Sequence, residues 1–235
     1  MILIFRTNHD LPTQYLYAFM GKAAKSIYNR IELNGRDANR ENFEWVLKNY
    51  EISAVFGGGH GDYSKFGGWE NEIVLRACEN DDLLSGKIVY LLSCRTGREL
   101  GPSSIEKGAR AFIGYAEDFV FAIDERYLDR PLADPLAKSF FEPAIEVMYS
   151  IARGESADLA WKRSQDRFNV EISKWMSSTA PEAPYIISLL IHDRDYQVFI
   201  GEEGATIIPP VAVPAPSPVI LIPIILIAGA LLLLR

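Results

Sequence analysis

Several short stretches of the chain are apolar almost without interruption rather than at alternate positions. Residues 1–6, 53–56, 88–92 and 110–115 read this way, with 27–33 as a further strand. Between them the period lengthens to that of a helix. Residues 12–25 begin at Pro12 after Asp10, and residues 39–49 place Phe43, Val46 and Leu47 on one face. Residues 69–78 space Ile73, Val74 and Ala77 as a helical core face, with Cys78 beside them as a small core residue. Residues 134–153 carry Leu136, Phe140, Val147 and Ile151 inward. Pro143 predicts a kink there and Gly154 a stop. Ser156 then caps a helix running to about Met176, with Trp161, Phe168, Ile172 and Trp175 on one side. Residues 185–191 and 196–200 read as strands joined by a turn at 192–195. Uniformly apolar strands alternating with helices predict an α/β fold. The expected form is a three-layer α/β/α sandwich whose mostly parallel sheet is covered on both faces. Sites in such sheets form at the carboxyl ends of the strands.

Composition bounds this picture. The chain has 235 residues, 49% hydrophobic and 23% charged, enough for one large domain and an appendage. A net charge of -7 without a basic run argues against nucleic acid as a partner. Two cysteines make no disulfide framework and fit a reducing compartment. With three histidines far apart, they show no metal-ligand spacing, so neither metal nor other cofactor is expected. Residues 205–234 hold no charge. A spacer with Pro209, Pro210, Pro214, Pro216 and Pro218 leads into a 16-residue apolar run ending at Leu234. The expected organisation is a folded domain over 1–204, a Pro-rich linker over 205–218 and a transmembrane tail anchor over 219–235. With no signal sequence read at the N-terminus, the domain is expected in the cytoplasm, held to a membrane by its tail.

Candidate chemistry sits where the strands end. Residues 52–56 run into Gly57, Gly58, Gly59, His60 and Gly61, and residues 88–92 run into Ser93 and Cys94. A thiol and an imidazole at two strand tips make a nucleophile and its base. A free thiol of pKa about 8.5 is only a few per cent thiolate at neutral pH, so the imidazole matters. The small residues Gly61, Ser93 and Gly97 leave room for a substrate carbonyl. Other readings exist. Cys94 as a core residue beside an unrelated loop histidine accounts for each separately. His9 and His192, each followed by aspartate, hint at a metal-dependent phosphohydrolase, but no second cluster supports it. The glycine-rich residues 57–68 fit no phosphate-binding motif and read as a mobile substrate loop carrying Tyr63 and Phe66, with Trp69 just after it.

The two strand-end motifs in this order resemble the caspase–haemoglobinase superfamily, the clan CD cysteine peptidases, with the gingipain-like and CHAT branches nearest. Gly108, Ala109 and Gly114 around the next strand, and residues 154–161 at a helix start, extend the resemblance over residues 1–200. The resemblance implies His60 as general base, Cys94 as nucleophile, and the backbone amides of Gly61 and Cys94 as an oxyanion hole. Departures are plain. The caspase pentapeptide is absent, the His-to-Cys spacing of 34 is shorter than in caspases, and Leu92 stands where metacaspases carry an aspartate. Neither aspartate nor arginine preference therefore carries over. Asp10 is a candidate for a specificity pocket or a solvated loop residue, and Asp62 for orienting substrate or for a turn. The expected function is a membrane-tethered cysteine endopeptidase acting on protein or peptide substrates through a thioester. The alternatives are a catalytically silent docking module and a hydrolase of other esters or amides. Oligomeric state is not legible.

Overall fold

Alternate residues of each strand go to opposite faces of the sheet, and both faces are covered; the strands are apolar throughout for that reason. The structure, a computed structural model, describes residues 1–207. In chain order the elements are β1 (Ile2–Arg6), α1 (Leu11–Ala24), β2 (Arg30–Asn34), α2 (Arg40–Asn49), β3 (Ala54–Gly58), β4 (Gly61–Asp62), β5 (Lys65–Gly67), β6 (Ile73–Arg76), β7 (Ile88–Leu92), α3 (Leu100–Glu106), β8 (Ala111–Tyr115), α4 (Pro135–Ala152), α5 (Ala157–Met176), α6 (Ala183–Tyr196) and β9 (Gln197–Gly201). Ile4, Phe56, Tyr90 and Ile113 face one core, with Phe19 of α1, Phe141 of α4, Phe168 of α5 and Leu190 of α6. Phe5, Val55, Leu91 and Phe112 face the other, with Phe43 of α2, Leu100 of α3, Phe66 of β5 and Val74 of β6. Each large side chain buried this way contributes about 1.5–3 kcal/mol.

The main sheet has six strands in the order β2-β1-β3-β7-β8-β9. The first five are parallel, and β9 runs antiparallel to β8. β4, β5 and β6 form a second, antiparallel sheet. Register aligns Arg6 with Gly58 and Gly58 with Leu92, so the carboxyl ends of β1, β3 and β7 are level. Among the described residues three α-helices start from side-chain caps, α2 through Asn39, whose Oδ1 accepts from the Asn42 N–H at 2.9 Å. Asp10 and Thr13 form a capping box at α1, and Asp134 caps α4 through the N–H groups of Leu136 and Ala137. The Tyr15 hydroxyl donates to Asp134 at 3.0 Å, tying these two helices together.

Several expectations are corrected. The sheet, expected mostly parallel, is mixed, with β9 antiparallel to β8, and a second small sheet lies beside it. Among the described residues no helix is long and apolar enough to cross a membrane. The expected spanning run 219–235, and the linker from 208 on, lie outside the described residues. Residues 69–78, expected helical, form a 3-10 turn at Trp69–Asn71 and then β6, because Val74 and Leu75 are buried in the small sheet beside Phe66. Cys78 is exposed, with φ 61, rather than in the core. Residues 185–191, expected to be a strand, lie in α6, where Ile186 and Leu190 are buried four apart. α3 was not foreseen. Pro143 lies within one continuous helix, its carbonyl accepting from Ser164 Oγ at 2.9 Å. Ser156 stands at the N-cap of α5 without a side-chain capping bond.

Candidate active site

The level strand ends bring three loops together. His9 and Asp10 come after β1, His60 after β3, and Cys94 after β7. Counted from the aligned pair Gly58 and Leu92, His60 and Cys94 each stand two residues further on. Gly61 is what lets their loops touch: a Cβ there would run into the Cys94 carbonyl oxygen, the Thr96 methyl and Ser93 Cβ. Any other residue would force the loops apart.

The imidazole of His60 is 39% exposed and is held from one side by Asp10, whose Oδ2 lies 2.6 Å from Nε2. The other carboxylate oxygen, Oδ1, accepts from the Thr13 N–H at 3.0 Å and from its hydroxyl at 2.6 Å. Burial raises the Asp10 carboxyl, but the hydrogen bonds from Thr13 and His60 outweigh it and hold the group down at about 2. The residue that ends the first loop by capping a helix thus also orients the histidine. With Nε2–H donating to this carboxylate, Nδ1 is the nitrogen left to accept a proton; it has no hydrogen-bond partner among the described residues.

Cys94 is largely buried, with Asp118 and Phe119 beside its thiol. Burial pushes its thiol up, the N–H of Phe119 counters it, the Asp118 carboxylate adds to the rise, and the Arg95 guanidinium opposes it; the thiol stands at about 11. At neutral pH that leaves about one thiolate in ten thousand. Arg95 has φ 59, a left-handed conformation that costs a side-chain-bearing residue roughly 1–2 kcal/mol. Its surroundings enforce it. The Arg95 N–H donates to the Glu117 carbonyl at 3.0 Å, its guanidinium pairs with Asp118 at 2.7 Å, and it lies 5.6 Å from the Tyr63 ring centre. Ser93 and Thr96 are buried and share a hydroxyl hydrogen bond of 3.0 Å beneath the cysteine. Among the described residues, no hydrogen bond joins His60 to Cys94; the groups that act on the thiol's proton are Asp118 and Phe119.

The remaining candidates separate. Asp62 turns back on its own chain, accepting from the Tyr63 N–H at 2.7 Å. It also lines, with His60, Gly61, Lys65 and Asn71, a cleft of ≈ 170 Å³ beside the histidine. The glycine-rich residues form the β4–β5 hairpin, and Phe66 is buried against Phe5 at 5.5 Å instead of facing a substrate. His192 reaches the cysteine side of the site only through backbone, its Nε2 2.9 Å from the Asp118 carbonyl. Asp118 was missed in the sequence, and His9 was noted there only as a hint of a metal-dependent phosphohydrolase, not as a neighbour of His60. The signal that finds His9 is topological: β1 pairs in parallel with β3, so the residues just after it belong to the same edge as His60 and Cys94.

The mixed six-stranded sheet with this strand order has the caspase-like fold. Among solved structures that share it is the complex of the pro- and mature domains of RgpB from Porphyromonas gingivalis, with a TM-score of 0.56 and 11% identity over 87% of this chain and 48% of that one. The Arg-specific cysteine proteinase gingipain R (RgpB) gives a TM-score of 0.55 and 12% identity over 87% of this chain and 46% of that one. The chain spans about half the length of the chains it matches. At such identity the likeness is one of fold. No family model matches the sequence, and no curated protein matches it.

Proposed function

We propose that the chain is a cysteine-type endopeptidase in which Cys94 is the nucleophile and His60 the general base. The observation that carries this reading is the contact between the two strand-end loops at Gly61, with the His60 ring fixed by Asp10. Nδ1 of His60 takes the thiol proton as the sulfur attacks the scissile carbonyl. The tetrahedral oxyanion is held by the backbone N–H groups of Gly61 and Cys94, each donor worth roughly 3 kcal/mol in acyl-transfer sites. The imidazolium then gives its proton to the leaving amine, and a thioester remains. Water, deprotonated by His60, attacks the thioester, releases the new carboxyl terminus and restores the thiol. The imidazolium formed in each half-reaction faces the ionised Asp10. No step calls on a cofactor. The cleft beside His60, lined by Asp62, Lys65 and Asn71, is where a peptide side chain would sit.

A second reading, a silent docking module, is favoured by one observation: the resting thiol is engaged by Asp118 and Phe119 and is pushed up to about 11. Digestion of a peptide library, read by mass spectrometry, separates the two. Internal cleavage that vanishes in both Cys94→Ala and His60→Ala supports the peptidase. No cleavage by the wild type, or cleavage that survives in Cys94→Ala, refutes it.

A further inference from the structure

His9 has no role in the dyad, yet it is packed against it. Its side chain is 9% exposed, and neither ring nitrogen has a hydrogen-bond partner among the described residues. The ring stands edge-on to His60 at 5.8 Å between centres and to Trp69 at 5.6 Å. Nε2 of His9 lies 3.7 Å from the same Asp10 oxygen, Oδ2, that His60 Nε2 approaches at 2.6 Å. One ligand atom from each of His9, Asp10 and His60 falls within 4.8 Å of the others. A buried imidazole with both nitrogens unsatisfied is unfavourable unless something else takes its lone pair.

From this geometry we infer that His9, Asp10 and His60 form a binding site for a divalent transition metal of the zinc class, and that the bound ion switches the dyad off. The switching part rests on the peptidase reading above. Two imidazoles and one carboxylate are a zinc-type donor set; magnesium and calcium prefer oxygen alone. Bonds of about 2.0 Å at tetrahedral angles place ligand atoms roughly 3.3 Å apart. His60 and Asp10 must open slightly and His9 must close slightly, both within the reach of side-chain motion. The hydrogen bonds of Oδ1 to Thr13 already fix the carboxylate, as outer partners do at metal sites. Water completes the fourth position. The inhibitory effect lies in the imidazole itself. A neutral ring bound through Nε2 carries its one proton on Nδ1, so it has no lone pair left for the Cys94 proton.

The test uses the full chain, stripped with a chelator and titrated with Co²⁺ by visible absorbance and with Zn²⁺ by calorimetry. One tetrahedral ion per chain is expected in the wild type and in the Cys78→Ala/Cys94→Ala double variant. Both His9→Asn and His9→Ala, checked for wild-type melting in the absence of metal, should lose at least 100-fold in affinity. Unchanged affinity in the His9 variants, or loss of the site in the double cysteine variant, overturns the assignment. These readouts need no enzymatic activity, so they stand or fall apart from the peptidase reading. In the peptide-cleavage assay, stoichiometric Zn²⁺ should stop the wild type, and His9→Asn should need about 100-fold more. Zn²⁺ that binds yet leaves turnover unchanged, or that speeds it, overturns the switch.

Discussion

At the scale of single residues the site is divided between an imidazole held by a carboxylate and a thiol that burial keeps protonated. Asp10 holds His60, and burial with Asp118 beside it holds Cys94 protonated. Removing the Asp118 charge takes away a group that raises the thiol, whereas Arg95 then acts on it unopposed. Asp118→Asn should therefore move the pH midpoint of Cys94 alkylation downward by about one unit, read by mass spectrometry of the labelled peptide; an unchanged midpoint would leave burial as the whole cause. The linkage sign is set by the same shift. A thiol raised from 9.0 to about 11 adds to stability below pH 9, and that contribution is lost as pH rises from 9 to about 11. His60 and Cys94 were legible in the sequence, since each closes a short apolar run beside glycine. Asp10 was legible as a site residue but not as a partner of His60, and Asp118, which comes after the last parallel strand, gave no local signal at all. Their placement depends on strand order, which no window of residues contains.

At the scale of elements the strands are what position the chemistry. β1, β3 and β7 were readable because burial on both faces leaves no polar positions in their middles. Residues 69–78 and 185–191 were not, because a short apolar run satisfies the helical and strand templates alike and tertiary contacts decide. Val74 and Leu75 find partners in a small sheet, whereas Ile186 and Leu190 find theirs on one side of a helix. The element-level claim that can be tested is the touching of two strand-end loops. Gly61→Ala puts a methyl carbon against the Cys94 carbonyl oxygen, a backbone atom that cannot swing away. The displacement it forces, of the order of 1 Å, should lower kcat/KM by about 100-fold. Thermal melting should change far less, since β3 and β7 themselves are untouched. Retained activity would mean that the loops need not touch.

At the scale of the whole molecule, β9 closes the sheet antiparallel to β8, and the end of α6 before it carries a buried carboxyl. Asp193 is inaccessible, and one of its oxygens accepts from the Val120 N–H at 2.9 Å while the other has no partner among the described residues. Burial raises it well above its ordinary value, against which the Val120 hydrogen bond works only in part. The unfolded chain releases this proton near pH 3.8 and the folded chain keeps it, so stability falls as pH rises above 3.8. Asp193→Asn removes that slope. Urea denaturation from about pH 4 to 8 should show the variant gaining on the wild type as pH rises, and parallel curves would contradict the buried-carboxyl argument. Packing of this kind was invisible in the sequence, where Asp193 stood in a turn expected between two strands. The covered, uniformly apolar strands, with a histidine and a cysteine just past their carboxyl ends, were visible. The antiparallel last strand was read as a strand, but not its direction.

Covalent capture tests the central claim most directly. A pool of peptide-based electrophiles, incubated with wild type and with His60→Ala and monitored by intact mass and peptide mapping, should place one adduct on Cys94 in preference to the more exposed Cys78. The rate should fall by at least 100-fold in His60→Ala. Adducts that favour Cys78, or a Cys94 rate indifferent to His60, would show that the thiol and the imidazole do not act together.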